Sequence, residues 1–394
     1  MSIVSPATKQ RFDYLDSVRG LSALNLITWH FIAAFIGSDP HGLTTKSPLH
    51  IFWYGEADVM LFFIHSGFIL AYSYTGINKP LTVASYIQFL IERIFRIYPL
   101  FLFILFLSFI LKNTIFPLTA GIFTNQHLQS YWSRSYDIVT VLKEAILVIP
   151  IPKEGSARLI PQDWTLTIEL VIGALIPLLA FFLRKNKWIF WVVVCMLILL
   201  FRLTFTFEFA CGVFLFYHWQ IIKSMWLKMN MGIKIMTCIL SICLFFCFFH
   251  FCSLINYSLV LFRPGIDRLI VVSGCCLVFC IVISSSTAQK ILSLPLFARI
   301  GRICYSIYLV HMVLLIIFGD YFMILLHNWF KIARFNYFLI FFIVFMAVTI
   351  LISSVTYWLI EKPFNVAGKK ISRSVVAWLT YIKRIFHSWI QECF

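Results

Sequence analysis

Charged residues are scarce in this chain. Asp, Glu, Lys and Arg make up 12% of its 394 residues, and the acids are the rarer kind, 16 against 32 Lys and Arg. So little charge beside 61% hydrophobic residues and 43 Phe excludes a water-soluble domain of this length. The 11 Cys form no CxxC pair and no Cys/His spacing of the zinc type, so no metal site is expected. Most of them lie inside apolar runs and read as small, polarisable packing residues. The first 17 residues hold Lys9, Arg11, Asp13 and Asp16 and no apolar core followed by a small-residue cleavage site. No cleavable signal peptide is therefore expected, and the first spanning helix would serve as its own insertion signal. Neither an internal repeat nor an appended soluble domain is visible.

What the sequence has in abundance is apolar runs near the ~18 to 20 residues that span a bilayer. They read as helices, which excludes a closed barrel of alternating strands. The fold class is all-α and polytopic. Ten spanning segments are expected, at 18–36, 53–75, 92–111, 164–183, 187–201, 203–222, 233–251, 268–285, 299–319 and 337–360. Segment 112–163 is long, polar and rich in Pro and Gly, and makes a lid or binding surface. Its stretch around 138–150 is apolar enough to dip into the membrane.

The net charge of +16 is spread along the chain rather than gathered in one domain, which argues against nucleic acid as a partner. With the N-terminus in the cytoplasm, three Lys or Arg fall in each of five inner segments and six after the last span, 21 of the 32 in all. Every inner loop is then basic, and both termini are cytoplasmic.

Two ionisable residues share the first span, "YLDSVRGLSALNLITWHF". Arg19 and His30 are 11 residues apart, so on an α-helix they project about 20° from one another. The rise between them is roughly 16 Å, about half the ~30 Å hydrocarbon thickness. Alone, Arg19 reads as a snorkelling cation and His30 as a packed imidazole. Together on one face they point to a cavity, because ionisable groups at membrane depth are costly. In "IERIFRIYPL", Arg93 and Arg96 lie about 60° apart round the helix and can enter one site. Three guanidiniums facing one cavity suit a phosphorylated ligand, which they bind bidentately.

These residues resemble the acyltransferase-3 family of integral-membrane O-acyltransferases. Arg19, ten residues and His30 match its first helix, and Arg93 and Arg96 its Arg-x-x-Arg. "FFIHSGFIL" resembles its second-helix signature, which carries Ser66. "WTLTIEL" resembles Trp-Ser-Leu-x-x-Glu, with Trp164 and Glu169 in place and Thr165 for Ser. "FEFACGVFL" resembles Glu-Phe-x-x-Gly, at Glu208, Phe209 and Gly212. "GRICYSIYLVHMVLL" resembles a Ser-Tyr-x-x-Tyr-Leu-x-His run at Tyr305, Tyr308 and His311, with Cys304 for Ser. "YWLIEKPFN" resembles the closing Glu-x-Pro at Glu361 and Pro363. The chain departs from the family at Met60, where an acidic residue is common. Asp58 stands two residues earlier and is not given that role. His65 is an extra imidazole and reads as structural.

The resemblance covers about residues 11–365. It implies a membrane acyltransferase domain at 1–365, followed by a basic cytoplasmic tail at 366–394. It implies transfer of an acyl group, most often acetyl, from cytoplasmic acyl-CoA to a hydroxyl of a cell-envelope or lipid-linked glycan at a bacterial inner membrane. Arg19, Arg93 and Arg96 would hold the coenzyme phosphates. The pantetheine arm would run up the bundle to His30 as general base, with direct attack and an acyl-histidine both open. Glu169 would orient His30 or position the acceptor. Ser66, Trp164, Tyr305 and His311 would line the substrate cavity, and Glu361 would pair with a local cation. The competing reading is a transporter or exporter of an envelope glycan or anionic solute, which uses buried Arg, His and Glu without acyl transfer.

Overall fold

The structure, a computed structural model, describes residues 12–35, 50, 52–75, 82–119, 126–133, 135–147, 158–254, 264–330 and 334–393. Lys9, Arg11 and Lys79, which belong to the expected inner charges, lie outside them, as do parts of the long 112–163 segment. Helix dominates the described residues. In chain order the helices are α1 (Asp13–Phe35), α2 (Gly55–Leu70), α3 (Val83–Thr114), α4 (Gln126–Trp132), α5 (Ile138–Ala145), α6 (Asp163–Lys185), α7 (Lys187–Phe201) and α8 (Thr206–Lys228). They continue as α9 (Met231–Leu254), α10 (Pro264–Ser284), α11 (Ser286–Leu292), α12 (Pro295–Arg302), α13 (Cys304–Phe330), α14 (Arg334–Thr356) and α15 (Lys362–Cys393).

Local sequence sets several boundaries. Thr82 and Ser85 cap α3 reciprocally: the Ser85 N–H donates to Thr82 Oγ1 at 3.1 Å and the Thr82 N–H donates to Ser85 Oγ at 3.0 Å. Asp137 Oδ1 accepts the Thr140 N–H at 2.9 Å to start α5. Arg202, at φ 54°, ends α7 in the left-handed region.

Each of the ten expected segments overlaps a helix, although 53–54, 203–205 and 285 lie outside the helices and a turn at Ile303 breaks segment 299–319. Among the described residues, five helical runs are long and apolar enough to cross a membrane: Asp13–Phe35, Gly55–Ser73, Val83–Thr114, Asp163–Lys185 and Phe338–Ile385. Two bent pairs, α10 with α11 at 90° and α12 with the start of α13 at 66°, raise the number to seven. The other expected spans do not qualify over their described residues. At 15 residues, α7 rises only about 22 Å against a ~30 Å core.

The buried apolar residues form two clusters. One joins Ile27 and Phe31 of α1, Phe101 of α3, Leu309 and Ile316 of α13, and Trp132 and Leu159 of the long segment. The other joins Ile64 and Phe68 of α2, Ile172 and Ile176 of α6, Phe209 and Val213 of α8, and Phe279 of α10. In a bilayer such helices associate by close packing rather than by a hydrophobic drive. Gly67 and Gly212 make this possible between α2 and α8. A Cβ on Gly67 would stand 2.1 Å from the Phe209 carbonyl oxygen, and one on Gly212 would stand 2.0 Å from the Ile64 carbonyl oxygen. Both glycines belong to motifs quoted above, so part of each motif encodes helix contact rather than chemistry.

The described parts of the long segment are tied to one another and to the start of α6. Trp132 Nε1 donates to the Leu159 carbonyl at 3.0 Å, and Glu144 accepts the Leu159 N–H at 3.3 Å. Arg158 pairs with the fully buried Asp163 at 2.6 Å. Burial raises the carboxyl pKa of Glu144, against the pull of Arg158 and the Leu159 N–H. Ile138, Val139, Leu142 and Ile146 stay about half exposed along α5, an apolar edge that fits the expected dip.

Candidate active site

Clusters one and two both draw on α1 and α6; three cavities follow α1, and two of them are also lined from α6. One, named inner after the expected orientation, of about 530 Å³, is lined by Arg19, Arg96, Arg302, Lys362 and Lys369, facing Asp16, Glu92 and Glu361. Five cations against three carboxylates leave it positive. The outer one, of about 650 Å³, is lined by His30, Glu56, Gln162 and Arg268 among the aromatic side chains of Trp29, Tyr54, Tyr131, Trp164, Phe205 and Tyr308. Between them lies a slot of about 30 Å³, room for roughly one water. Ser22, Asp58, Phe62, Thr165, Glu169, Tyr305 and Tyr308 line it, and Tyr308 also lines the outer cavity. The slot's Phe62 carries the Arg19 guanidinium over its ring at 4.8 Å.

Arg19 and Arg96 share the inner cavity as expected, but Arg93 is not among the residues lining it. Its Nη2 donates to the Glu169 backbone carbonyl at 2.6 Å and lies 3.5 Å from the Glu169 carboxylate. The reason is local: Gly173, one turn further along α6, leaves room where a Cβ would stand 2.6 Å from Arg93 Nη2. Arg19 is 7% exposed, and its Nε has no hydrogen-bond partner among the described residues. It feels the charges of Glu169, Asp16 and Glu361. A buried cation without a short ion pair is costly in a membrane and is suited to an incoming anion.

His30 lines the outer cavity while Arg19 lines the inner one, so the two do not share the single cavity that their spacing suggested: 11 residues of helix separate them along α1. The His30 ring centroid is 5.3 Å from that of His311. His311 is fully buried, and its Nδ1 lies 3.2 Å from the Ile307 carbonyl, so it backs His30 rather than lining the cavity. Glu169 lines the slot and not the cavity of His30, and its carboxylate lies against the Arg93 guanidinium. Trp164 lines the outer cavity and Tyr305 the slot, where its hydroxyl donates to the Ile97 carbonyl at 2.7 Å. Ser66 is buried and lines none of the three cavities. His65 is buried against Phe279, ring to ring at 5.9 Å, consistent with a structural role.

Several lining residues carried no expected role. The Tyr308 hydroxyl is 2.5 Å from Thr165 Oγ1 and donates to the Gln162 carbonyl at 3.1 Å, while Gln162 Nε2 donates to the Tyr308 carbonyl at 2.9 Å. The Thr that stands for Ser therefore keeps the hydroxyl that this knot needs. Asp58 is 3% exposed and faces Ser22 and Asn25 of α1. A carboxylate inside an apolar helix was the signal for it. Arg268 pairs with the buried Glu208 at 2.6 Å and lies over Phe205 at 4.2 Å. Glu361 accepts the Ser306 hydroxyl at 2.8 Å on the inner cavity, where the Arg96 and Arg19 charges also act on it.

The profile of the acyltransferase-domain family matches residues 12–358. A relative named Protein 2 in picA locus, from Rhizobium radiobacter, is 28% identical over 179 residues, which is 43% of this chain and 83% of that protein. No solved structure matches significantly. The chain belongs to the acyltransferase-3 family. Membership and the apolar helices together make it a multi-pass integral membrane acyltransferase.

Proposed function

We propose that the chain transfers an acetyl or other short acyl group from cytoplasmic acyl-CoA to a hydroxyl of a cell-envelope polysaccharide. The observation that carries this is the division of labour along α1. Arg19 and Arg96 line a positive inner cavity, His30 lines an aromatic outer cavity, and one narrow slot separates them. In this reading the coenzyme phosphates bind Arg19 and Arg96, and the slot, which has room for about one water here, opens as the pantetheine arm passes toward His30. Sugar rings present apolar faces and polar rims, which suit Trp29 and Trp164 beside Glu56 and Gln162.

His30 takes the proton of the acceptor hydroxyl as its oxygen attacks the thioester carbonyl. The C–S bond breaks, and the leaving thiolate recovers a proton from the imidazolium. A base of this kind contributes about 10² to 10⁴-fold. Arg93 holds Glu169 at the slot rather than touching the coenzyme. The Arg93–Glu169 contact supports that assignment. The ten-span topology with both termini in the cytoplasm of a bacterial inner membrane goes with the same reading.

The test is acetyl-CoA binding and glycan acylation by purified Arg96→Ala and Arg93→Ala proteins. Arg96→Ala is expected to weaken coenzyme binding at least about tenfold, as loss of a charge-assisted phosphate contact does. Arg93→Ala is expected to lower turnover with coenzyme affinity kept. Unchanged affinity in Arg96→Ala would sink the phosphate assignment. A reporter fused after residue 394 that responded from outside the cell would overturn the topology.

A further inference from the structure

The chain's last helix bears on neither cavity beyond its first two turns. The helical run from Phe338 to Ile385 is 48 residues, about 72 Å at 1.5 Å per residue, more than twice a ~30 Å hydrocarbon core. Its second part is α15, and its surface divides into three sectors. Gly368 and Ser372 face α3, the glycine against Phe95 and the Ser372 hydroxyl donating to Glu92 at 3.1 Å. Phe364, Ile371 and Trp378 follow at seven-residue intervals, which drift only about 20° each, so they form one stripe. They are exposed by 44, 42 and 61%, and Tyr381 beside them by 63%. Lys369, Lys370, Arg373, Lys383 and Arg384 occupy the remaining sector and are exposed. Just before α15, Trp358 is 60% exposed with the Lys362 ammonium 3.6 Å from its ring centre, an aromatic-and-cation pair of the kind that marks a membrane–water boundary.

We propose that α15 is an anionic-lipid-binding element that seats its Phe364–Ile371–Trp378 stripe among the acyl-chain tops of the cytoplasmic leaflet. Lys370, Arg373, Lys383 and Arg384 then meet the lipid phosphates. Charge complementarity selects this occupant. An apolar stripe alone would suit any partner helix, but a stripe with Lys370 and Lys383 about 100° and 120° to either side of Ile371, Arg373 and Arg384 on the face behind it, and Trp358 ahead of it suits a negatively charged bilayer surface. The proposal is independent of the acyl-transfer reading, since these four cations and the stripe line neither cavity.

The test uses the full-length protein in mixed micelles of phosphatidylglycerol and phosphatidylcholine in equal amounts, with bound lipids counted by native mass spectrometry. The wild type is expected to retain phosphatidylglycerol in preference. At about fivefold per surface cation before screening, the variant K370Q/R373Q/K383Q/R384Q is expected to lose at least about fivefold of that preference. An unchanged ratio, or a wild type without preference, would overturn the proposal. A second measurement reads the stripe. In liposomes of lipids brominated near the headgroup, the fluorescence difference between wild type and Trp378→Phe should be quenched. A Trp378 signal that bromine leaves untouched would assign the face to water or to protein, including a second copy of this chain, and would equally overturn it.

Discussion

Replacing His30 with Ala separates chemistry from architecture because of where the side chain sits. His30 is half-buried in the wall of a cavity that already holds about 650 Å³. Removing the imidazole widens that space and leaves no closed void, so the cost falls well below the ~2 to 5 kcal/mol of a large-to-Ala change in a packed core. One contact given up is with the His311 ring at 5.3 Å, worth ~0.5 to 1.5 kcal/mol. Membrane level and melting temperature should therefore stay near wild type. Turnover should not. A general base contributes about 10² to 10⁴-fold, or ~2.7 to 5.4 kcal/mol of barrier at 1.36 kcal/mol per decade. Coenzyme affinity should hold, since the phosphates are assigned to Arg19 and Arg96 on the other cavity. The assay is transfer from labelled acetyl-CoA to envelope glycan in membranes matched for protein, with acetyl-CoA binding to the purified protein measured alongside. Turnover within about threefold of wild type would refute the base assignment. Equal losses in turnover and coenzyme binding would make His30 a binding residue instead. His311→Ala is the contrast: it empties a fully buried site and is expected to lower stability by ~1 to 3 kcal/mol.

Gly212→Ala places a Cβ 2.0 Å from the Ile64 carbonyl oxygen, with backbone on both sides and no flexible chain end to move. Overpacking of this kind costs ~1 to 3 kcal/mol or more, and a variant that melts with the wild type would show that α2 and α8 do not pack this closely. Thr165→Val removes the 2.5 Å contact with Tyr308, whose hydroxyl retains the Gln162 carbonyl. It should lower stability by ~1 kcal/mol while Thr165→Ser is neutral, as thermal unfolding in detergent will show. Glu144, whose pKa burial raises, holds its proton more tightly folded than unfolded. Its carboxyl therefore costs no stability in acid and destabilises as pH climbs above the ordinary carboxylate range. Glu144→Gln should melt with the wild type near about pH 4 and above it near about pH 8, and a gap that closes with rising pH would reverse that sign.

Periodicity and composition made the helices legible, because a bilayer demands long apolar runs and nothing else reads that way. The span number was less legible. Hydropathy sees residue types but not the 90° and 66° bends that join α10 to α11 and α12 to α13, nor whether a 15-residue helix such as α7 reaches across. The common direction of Arg19 and His30 was legible because both lie on one helix, where spacing fixes relative direction, but their lining of two separate cavities was not. Arg93 was not, although it shares α3 with Arg96. Which way its guanidinium turns depends on Gly173, 80 residues later in the chain, and a glycine at helix-contact depth carries no sign of which side chain it admits.

The same limit explains the division among motif residues. Ser66 and Gly67 adjoin in "FFIHSGFIL", yet the serine lines no cavity and the glycine holds α2 against α8. Thr165 and Glu169 in "WTLTIEL" instead stand one turn apart on the slot itself. A motif in a membrane bundle thus mixes two demands, close helix approach and cavity chemistry. The residue type gives the first hint: Gly for approach, and a carboxylate, imidazole or guanidinium for the cavity. Asp58 meets the second description without belonging to any of the quoted motifs. Its burial on the slot, facing Ser22 and Asn25 of the helix that carries both Arg19 and His30, makes position along α1 a better guide to the site than motif membership.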